Sequence, residues 1–264
     1  MFKRRKSRPP LKAPALRVPG QSLEAAIHGK VDAVTALWIL LPLLLWAVAA
    51  LEWWAKANDI GRQPWAFAAA AMIVTVIGVR RIYRARVRVK AMKLGLAGER
   101  AVGQFLEGLR VGGARILHDI QGDRFNVDHV VISSHGIYCI ETKTIRKHRK
   151  DAIVHYNGRR VLVDGIAPDR DPIKQVTAAA KWLSTQIAES TGRRFWVHPV
   201  VVYPGWFVET PPEARGAPVW VLEPKALAKW IENEPTSIDD SDVSLISYHL
   251  TRIVMAEEIR NPDM

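Results

Sequence analysis

Glu141 and Lys143 stand two residues apart in the run Gly136-Ile137-Tyr138-Cys139-Ile140-Glu141-Thr142-Lys143. On an extended strand such residues project from one face, so a carboxylate and an ammonium share a surface there. Asp128 lies in the preceding apolar run, Phe125 to Ile132, and Ser133, Ser134, His135 and Gly136 between the two runs have a turn composition. If those four residues form the turn, Ile132 pairs with Ile137 and the ladder carries Asp128 opposite Glu141. Carboxylates placed side by side repel, and both stay ionised only with compensation. A divalent cation removes that penalty, and Mg²⁺ is commonly held by one or two carboxylates, with water and substrate phosphate completing its shell. Lys143 beside it would hold a phosphate or orient and help deprotonate an attacking water. The alternative is a structural ion pair, since an acid-x-Lys triplet alone arises by chance about once in a chain of this size.

These side chains need a rigid frame, and the sequence from Leu94 onward reads as an α/β domain. Gly98 to Leu109 has a helical face of Ala101, Val102, Phe105, Leu106 and Leu109, and Ala114 to Ile120 reads as a strand. The runs around Asp128 and Glu141 are apolar on both faces, as in central strands covered by helices on each side. A weaker hairpin is expected through Ile153 to His155 and Val161 to Val163, around the turn dipeptide Asn157-Gly158. Pro172 opens a long helix to about Ser190, strands follow at Val197 to Tyr203 and Val219 to Leu222, and helices at Pro224 to Asn233 and Asp239 to Arg260 close the chain.

Four runs together resemble the NERD (nuclease-related) domain: Gly98-Glu99-Arg100, Asn126 to Val131, Gly136 to Thr144, and Asp171-Pro172-Ile173-Lys174-Gln175. That family is similar to the PD-(D/E)XK superfamily of restriction-endonuclease-like folds. The resemblance covers roughly Gly98 to Tyr203 and implies an αβββαβ core with a mixed central sheet. It matches Asp128 and Glu141 to the metal-binding acids and Lys143 to the catalytic lysine. It further matches Glu99 to the acid of the first helix and Gln175 to the glutamine after the central hairpin. Asp171 stands where the family often has Asn, a change compatible with the same capping role, and Cys139 replaces a usual aliphatic residue. The implied activity is Mg²⁺- or Mn²⁺-dependent hydrolysis of nucleic acid, with DNA the expected substrate. The competing expectation is a binding module that does not cleave.

The formal charge of +12 asks for an acidic partner, either nucleic acid or an anionic membrane surface. The single cysteine excludes an intrachain disulfide framework and a cysteine-rich zinc site, and the scattered histidines form no ligand pair. Residues 1–30, basic and proline-containing, read as a disordered arm. Ala33 to Leu51 carries no charge and reaches roughly 30 Å as a helix, enough to span a bilayer. A second apolar run from Pro64 to Val79 follows, and Trp53, Trp54 and Trp65 cluster where the runs face each other. The expectation is a transmembrane hairpin, with spans at about 33–51 and 63–81, followed by a basic linker at 83–96. The nuclease-like domain would occupy 97–222, with C-terminal helices at 223–264 packed on it.

Arg80, Arg81, Arg84, Arg86, Arg88, Lys90 and Lys93 after the second run, and the basic arm before the first, place both termini and the domain in the cytoplasm, at the inner membrane if the cell is bacterial. The arginine run is assigned to lipid headgroups. Arg146, Lys147, Arg149 and Lys150, with Arg159 and Arg160 across the hairpin, are assigned to the backbone of a nucleic acid.

Overall fold

The computed structural model describes residues 17–57, 64–122, 125–214 and 216–260. The chain divides into two compact units, Ser22–Leu94 and a second formed by Gly95–Met264 with Met1–Gln21.

The first unit is helical. Helices α1 (Gln21–Ala57) and α2 (Pro64–Glu107) each hold a stretch long and apolar enough to cross a membrane, with only 11% of either window buried. A core helix would hide far more of its apolar surface, whereas here Leu40, Leu44, Leu51 and Ile73 face outward. The two helices run antiparallel: Trp46 Nε1 donates to Thr75 Oγ1 at 3.0 Å, and the Trp53 and Trp65 rings meet edge to face at 4.7 Å. Gly78 allows close approach, since a Cβ there would lie 3.1 Å from the Trp38 carbonyl.

Two boundaries differ from expectation. Of the arm expected at 1–30, residues 1–16 lie outside the described residues and 21–30 are helical. The linker expected at 83–96 is the interior of α2, and the helix expected from Gly98 is its last turns. The physical reason is local: residues 80–94 are rich in Arg and Lys and contain neither Pro nor Gly, and the single Gly95 after them is too little to end a helix.

The second unit is mixed α/β, as expected, around a mixed five-stranded sheet. Strands β1 (Arg115–Gln121), β2 (Asn126–Ser133) and β3 (Gly136–Thr142) form an antiparallel meander. After β4 (Ile153–Tyr156), β5 (Val161–Val163) and α3 (Pro172–Thr191), strand β6 (Val197–Val202) joins β3 in parallel. Strand β8 (Trp220–Leu222) adds to β6, also in parallel. Strand β7 (Phe207–Glu209) pairs with β4 in a second sheet of order β5-β4-β7. A three-residue strand shows no period in sequence and exists because β4 offers it an edge.

Every residue of β3 is buried, because both faces are covered. Ile137 and Cys139 join the core under α3 and α5 (Asp240–Arg260). Tyr138 and Ile140 join the core under the last turns of α2 and α4 (Pro224–Asn233). The connection between β2 and β3 is tighter than the four-residue turn expected, since Ser133 already pairs with Gly136; Ile132 still pairs with Ile137.

His118 of β1 pairs with His129 of β2, and their Nδ1 atoms lie 2.9 Å apart, so one carries the proton and the other accepts. His118 Nε2 also lies 2.9 Å from Glu107 Oε1. Burial holds both imidazoles below their usual range, with the His129 pKa lowered to about 3 by burial and then by His118. A depressed folded-state pKa stabilises the fold above the unfolded value of about 6.5, and that stability is lost as pH falls toward 3. Urea unfolding of the detergent-solubilised chain is therefore expected to show stability declining below about pH 6.5, and His129→Val to flatten the decline.

Candidate active site

The antiparallel ladder between β2 and β3 ends at His129 and Ile140, one pair short of Asp128 and Glu141. Instead of a backbone acceptor, the Thr142 N–H finds Asp128 Oδ2 at 2.7 Å. On the other side of β2 the register pairs His118 with His129 and Ile120 with Val127, which brings Asp119 level with Asp128. Asp119 has φ 51°, in the left-handed region. Regular alternation would send Leu117 and Ile120 to opposite faces, yet both enter the core under α3. The sheet is thus distorted where three acids on adjacent strands, Asp119, Asp128 and Glu141, reach one level.

At the end of β3, Lys143 Nζ donates to Glu141 Oε1 at 2.7 Å and to Gln175 Oε1 at 2.8 Å. Gln175 Nε2 donates to the same Glu141 oxygen at 2.6 Å, closing a triangle. Gln175 is delivered by the first turn of α3. Asp171 caps that helix, its Oδ1 accepting from Ile173 N and Lys174 N at 3.0 and 3.3 Å, and Pro172 fixes the first helical φ.

Glu99 approaches from α2. A Cβ on Gly98 would lie 1.6 Å from Thr144 Oγ1, so only glycine lets α2 come this close to the end of β3. The pKa of Glu99 is raised to about 7, first by burial, then by Asp119 and Glu141, against the pull of Lys143. Asp128 is pushed well up by burial and then by Glu141 and Glu99, with the Thr142 N–H opposing. It is closely surrounded by protein but keeps an opening to solvent, as a ligand position requires. Burial also raises Glu141, while Lys143 and Gln175 lower it.

Glu99, Asp128, Glu141, Lys143 and Gln175, scattered in sequence, are thus brought together. Asp119 was missed, although an acid between the buried residues Leu117 and Ile120 was a visible signal. Arg17 was missed with no signal, being one of many cations in a basic segment. Its Nε lies 3.3 Å from Asp119 Oδ2, and both side chains are buried. The segment reaches the domain by fitting Pro19 over Gly103, where a Cβ would lie 2.3 Å from Pro19 Cγ, and by turning at Gly20, φ 71°.

Of the basic candidates, Arg146, Lys147, Arg149 and Lys150 are exposed on the chain that leaves β3. Lys147 Nζ sits 5.1 Å from the Trp206 ring centre, and Trp206 Nε1 holds Ile145 O at 3.0 Å. Arg149 is engaged by Asp151 through two bonds, at 3.2 and 2.9 Å. Arg159 and Arg160 are exposed at the β4–β5 turn, their N–H groups bonded to Asn157 Oδ1.

Among the described residues, no three His, Cys, Asp or Glu side chains converge as a ready metal-ligand set. The donor chemistry still fits a hard cation held by one or two carboxylates. Asp128 and Glu141 are crowded acids at one end of the sheet, and Tyr203 Oη, whose pKa is raised first by burial and then by Glu141, is buried without a hydrogen-bond partner.

The family model of the nuclease-related domain, NERD, matches residues 94–204, the segment that contains this whole cluster except Arg17. That match supports a NERD protein and a nuclease-related function. No curated protein and no solved structure matches the chain.

Two expected outcomes test how the cluster is held. Gly98→Ala should cost about 1–3 kcal/mol of stability by overpacking against Thr144, measured by urea unfolding of the detergent-solubilised chain. Arg17→Met should cost about 3–5 kcal/mol by removing the buried cation that faces Asp119, and Arg17→Met with Asp119→Leu should recover most of it. A double variant no more stable than the single one would refute the ion-pair account.

Proposed function

We propose that this chain is a membrane-anchored, metal-dependent nuclease that hydrolyses phosphodiester bonds of nucleic acid, with DNA the favoured substrate. The observation that carries the reading is the hydrogen-bonded triangle of Glu141, Lys143 and Gln175 set beside Asp128, with the NERD match over the same residues.

Asp128 and Glu141 would hold Mg²⁺ or Mn²⁺, which supplies charge stabilisation at the phosphoryl oxygens and a more acidic bound water. Lys143 is the only cation bonded within the triangle, and Gln175 fixes its ammonium in place. It is positioned to meet a phosphate oxygen or to orient the attacking water. Glu99, with a pKa of about 7, can hold or give up a proton near neutral pH, as a supporting acid must. Arg146, Lys147 and Lys150, exposed on the chain that follows Lys143, would favour a polyanionic backbone without reading bases.

The anchor is the antiparallel pair α1 and α2. By the excess of arginine after the second apolar run, both ends of the chain and the domain would lie on the cytoplasmic side. A reporter fused after Met264 and found outside the cytoplasm would overturn that orientation.

The chain in detergent, incubated with single- and double-stranded DNA and RNA, is expected to cleave in Mg²⁺ or Mn²⁺ and not in EDTA. Asp128→Ala and Lys143→Ala should each lower the rate by about 100-fold or more. Cleavage that persists in either variant sinks the assignment. Binding without cleavage in any metal would instead favour a tethered binding module.

A further inference from the structure

Beyond the catalytic cluster, the second sheet carries a surface that the proposed mechanism does not use. Val154 and Tyr156 of β4 enter the core, so Ile153 and His155 lie on the opposite, outer face. Strand β7 runs parallel to β4 with Phe207 beside Ile153. Phe207 is 67% exposed and Ile153 36% exposed. A large aromatic ring left in water beside a second apolar side chain, on a sheet of short strands, costs free energy unless something covers it.

The position of that ring relative to the site suggests what the cover is. Lys143 N bonds to Val202 O at 2.9 Å, and Phe207 follows Val202 by five residues, at most about 17 Å along the chain. Trp206, the neighbour of Phe207, clamps Ile145 and lies under Lys147. Lys143 begins the basic run, and the run ends at Lys150, three residues before the Ile153 that lies beside the exposed ring. Along it, Arg146 and Lys150 make no ion pair among the described residues, whereas Arg149 is tied to Asp151.

We infer that Phe207, backed by Ile153, is a stacking platform for an unpaired base, and that the substrate class of this site is single-stranded nucleic acid. A run of cations that stops three residues before the neighbour of an exposed aromatic ring matches how single strands are held: phosphates follow the charges and a base lies on the ring, tolerant of sequence. A duplex offers its charge to such a run but keeps its bases stacked inside, so the ring gains nothing from it. A lipid headgroup would satisfy the cations but would not account for their continuity with Lys143. The inference rests on the nuclease reading for its substrate and adds which form of the polymer is taken.

The test measures binding in EDTA, where cleavage plays no part. The full chain in nanodiscs of neutral lipid is titrated against a labelled oligothymidylate and against a duplex of equal length, and fluorescence anisotropy is read. The expected result is tighter binding of the single strand, a loss of about 10-fold for that strand alone in Phe207→Ala, and retention in Phe207→Trp. Trp196→Ala, which removes an exposed ring outside the second sheet, should leave both affinities unchanged.

Equal affinity for the two forms, or no change in Phe207→Ala, overturns the platform. So does a fluorophore at position 207 that responds to anionic nanodisc lipid and not to the oligonucleotide, which would make the surface a lipid contact. A protein that cleaves in Mg²⁺ but ignores Phe207→Ala sinks only the platform. One that binds through Phe207 but cleaves nothing in either metal sinks only the nuclease.

Discussion

Four carboxylates, Glu99, Asp119, Asp128 and Glu141, crowd one end of a buried sheet, and the domain is organised around tolerating them. Burial raises the pKa values of Glu99, Asp128 and Glu141, and repulsion from neighbouring acids adds to it at Glu99 and Asp128. Three of the four have a specific counterweight: Lys143 and Gln175 for Glu141, the Thr142 N–H for Asp128, and Arg17 for Asp119. Removing any one partner leaves a charge that the low-dielectric surroundings penalise. That penalty is why the frame is so tightly specified, with β3 buried at every position, α2 seated against Thr144 at Gly98, and α3 started sharply at Asp171.

How much of this the sequence revealed depended on how local the determinant was. The level of Asp128 against Glu141 followed from the turn composition between two apolar runs, because a hairpin register is set by residues next to each other. Even with a shorter turn than expected, the register was unchanged, since Ser133 and Gly136 pair with each other. The start of α3 was legible in the same way, from Asp171 and Pro172 alone. The ion pair of Arg17 with Asp119 was not, because it joins residues about a hundred positions apart and one belongs to a segment that composition marks as disordered. The basic stretch at 83–96 continues α2 for a related reason: positive charge says what it would contact, while the lack of Pro and the single Gly95, a weaker signal, let the helix run through it. Strand β7 was too short for any period to show.

Net charge and local charge point in opposite directions here, and the contrast bears on how the site would be used. The chain carries a formal +12, so its overall field draws in polyanions. At the cluster itself the acids outnumber the cations, and a phosphate arriving there meets repulsion at the distance where reaction would occur. Long-range attraction therefore cannot seat a substrate without a local correction. Within the proposed reading, the exposed cations after Lys143 hold the backbone beside the cluster, and charge brought to Asp128 and Glu141 removes the last repulsion. Binding and reaction would then depend on different groups: the basic strip sets affinity and its salt dependence, while the carboxylates decide whether a held strand can be cut. The separation also gives the two basic surfaces distinct jobs. The cations of α2 follow directly on an apolar stretch suited to lipid, whereas those after β3 begin at Lys143 and stop three residues before Ile153, which pairs with Phe207. Charge alone does not distinguish these surfaces; their neighbours do.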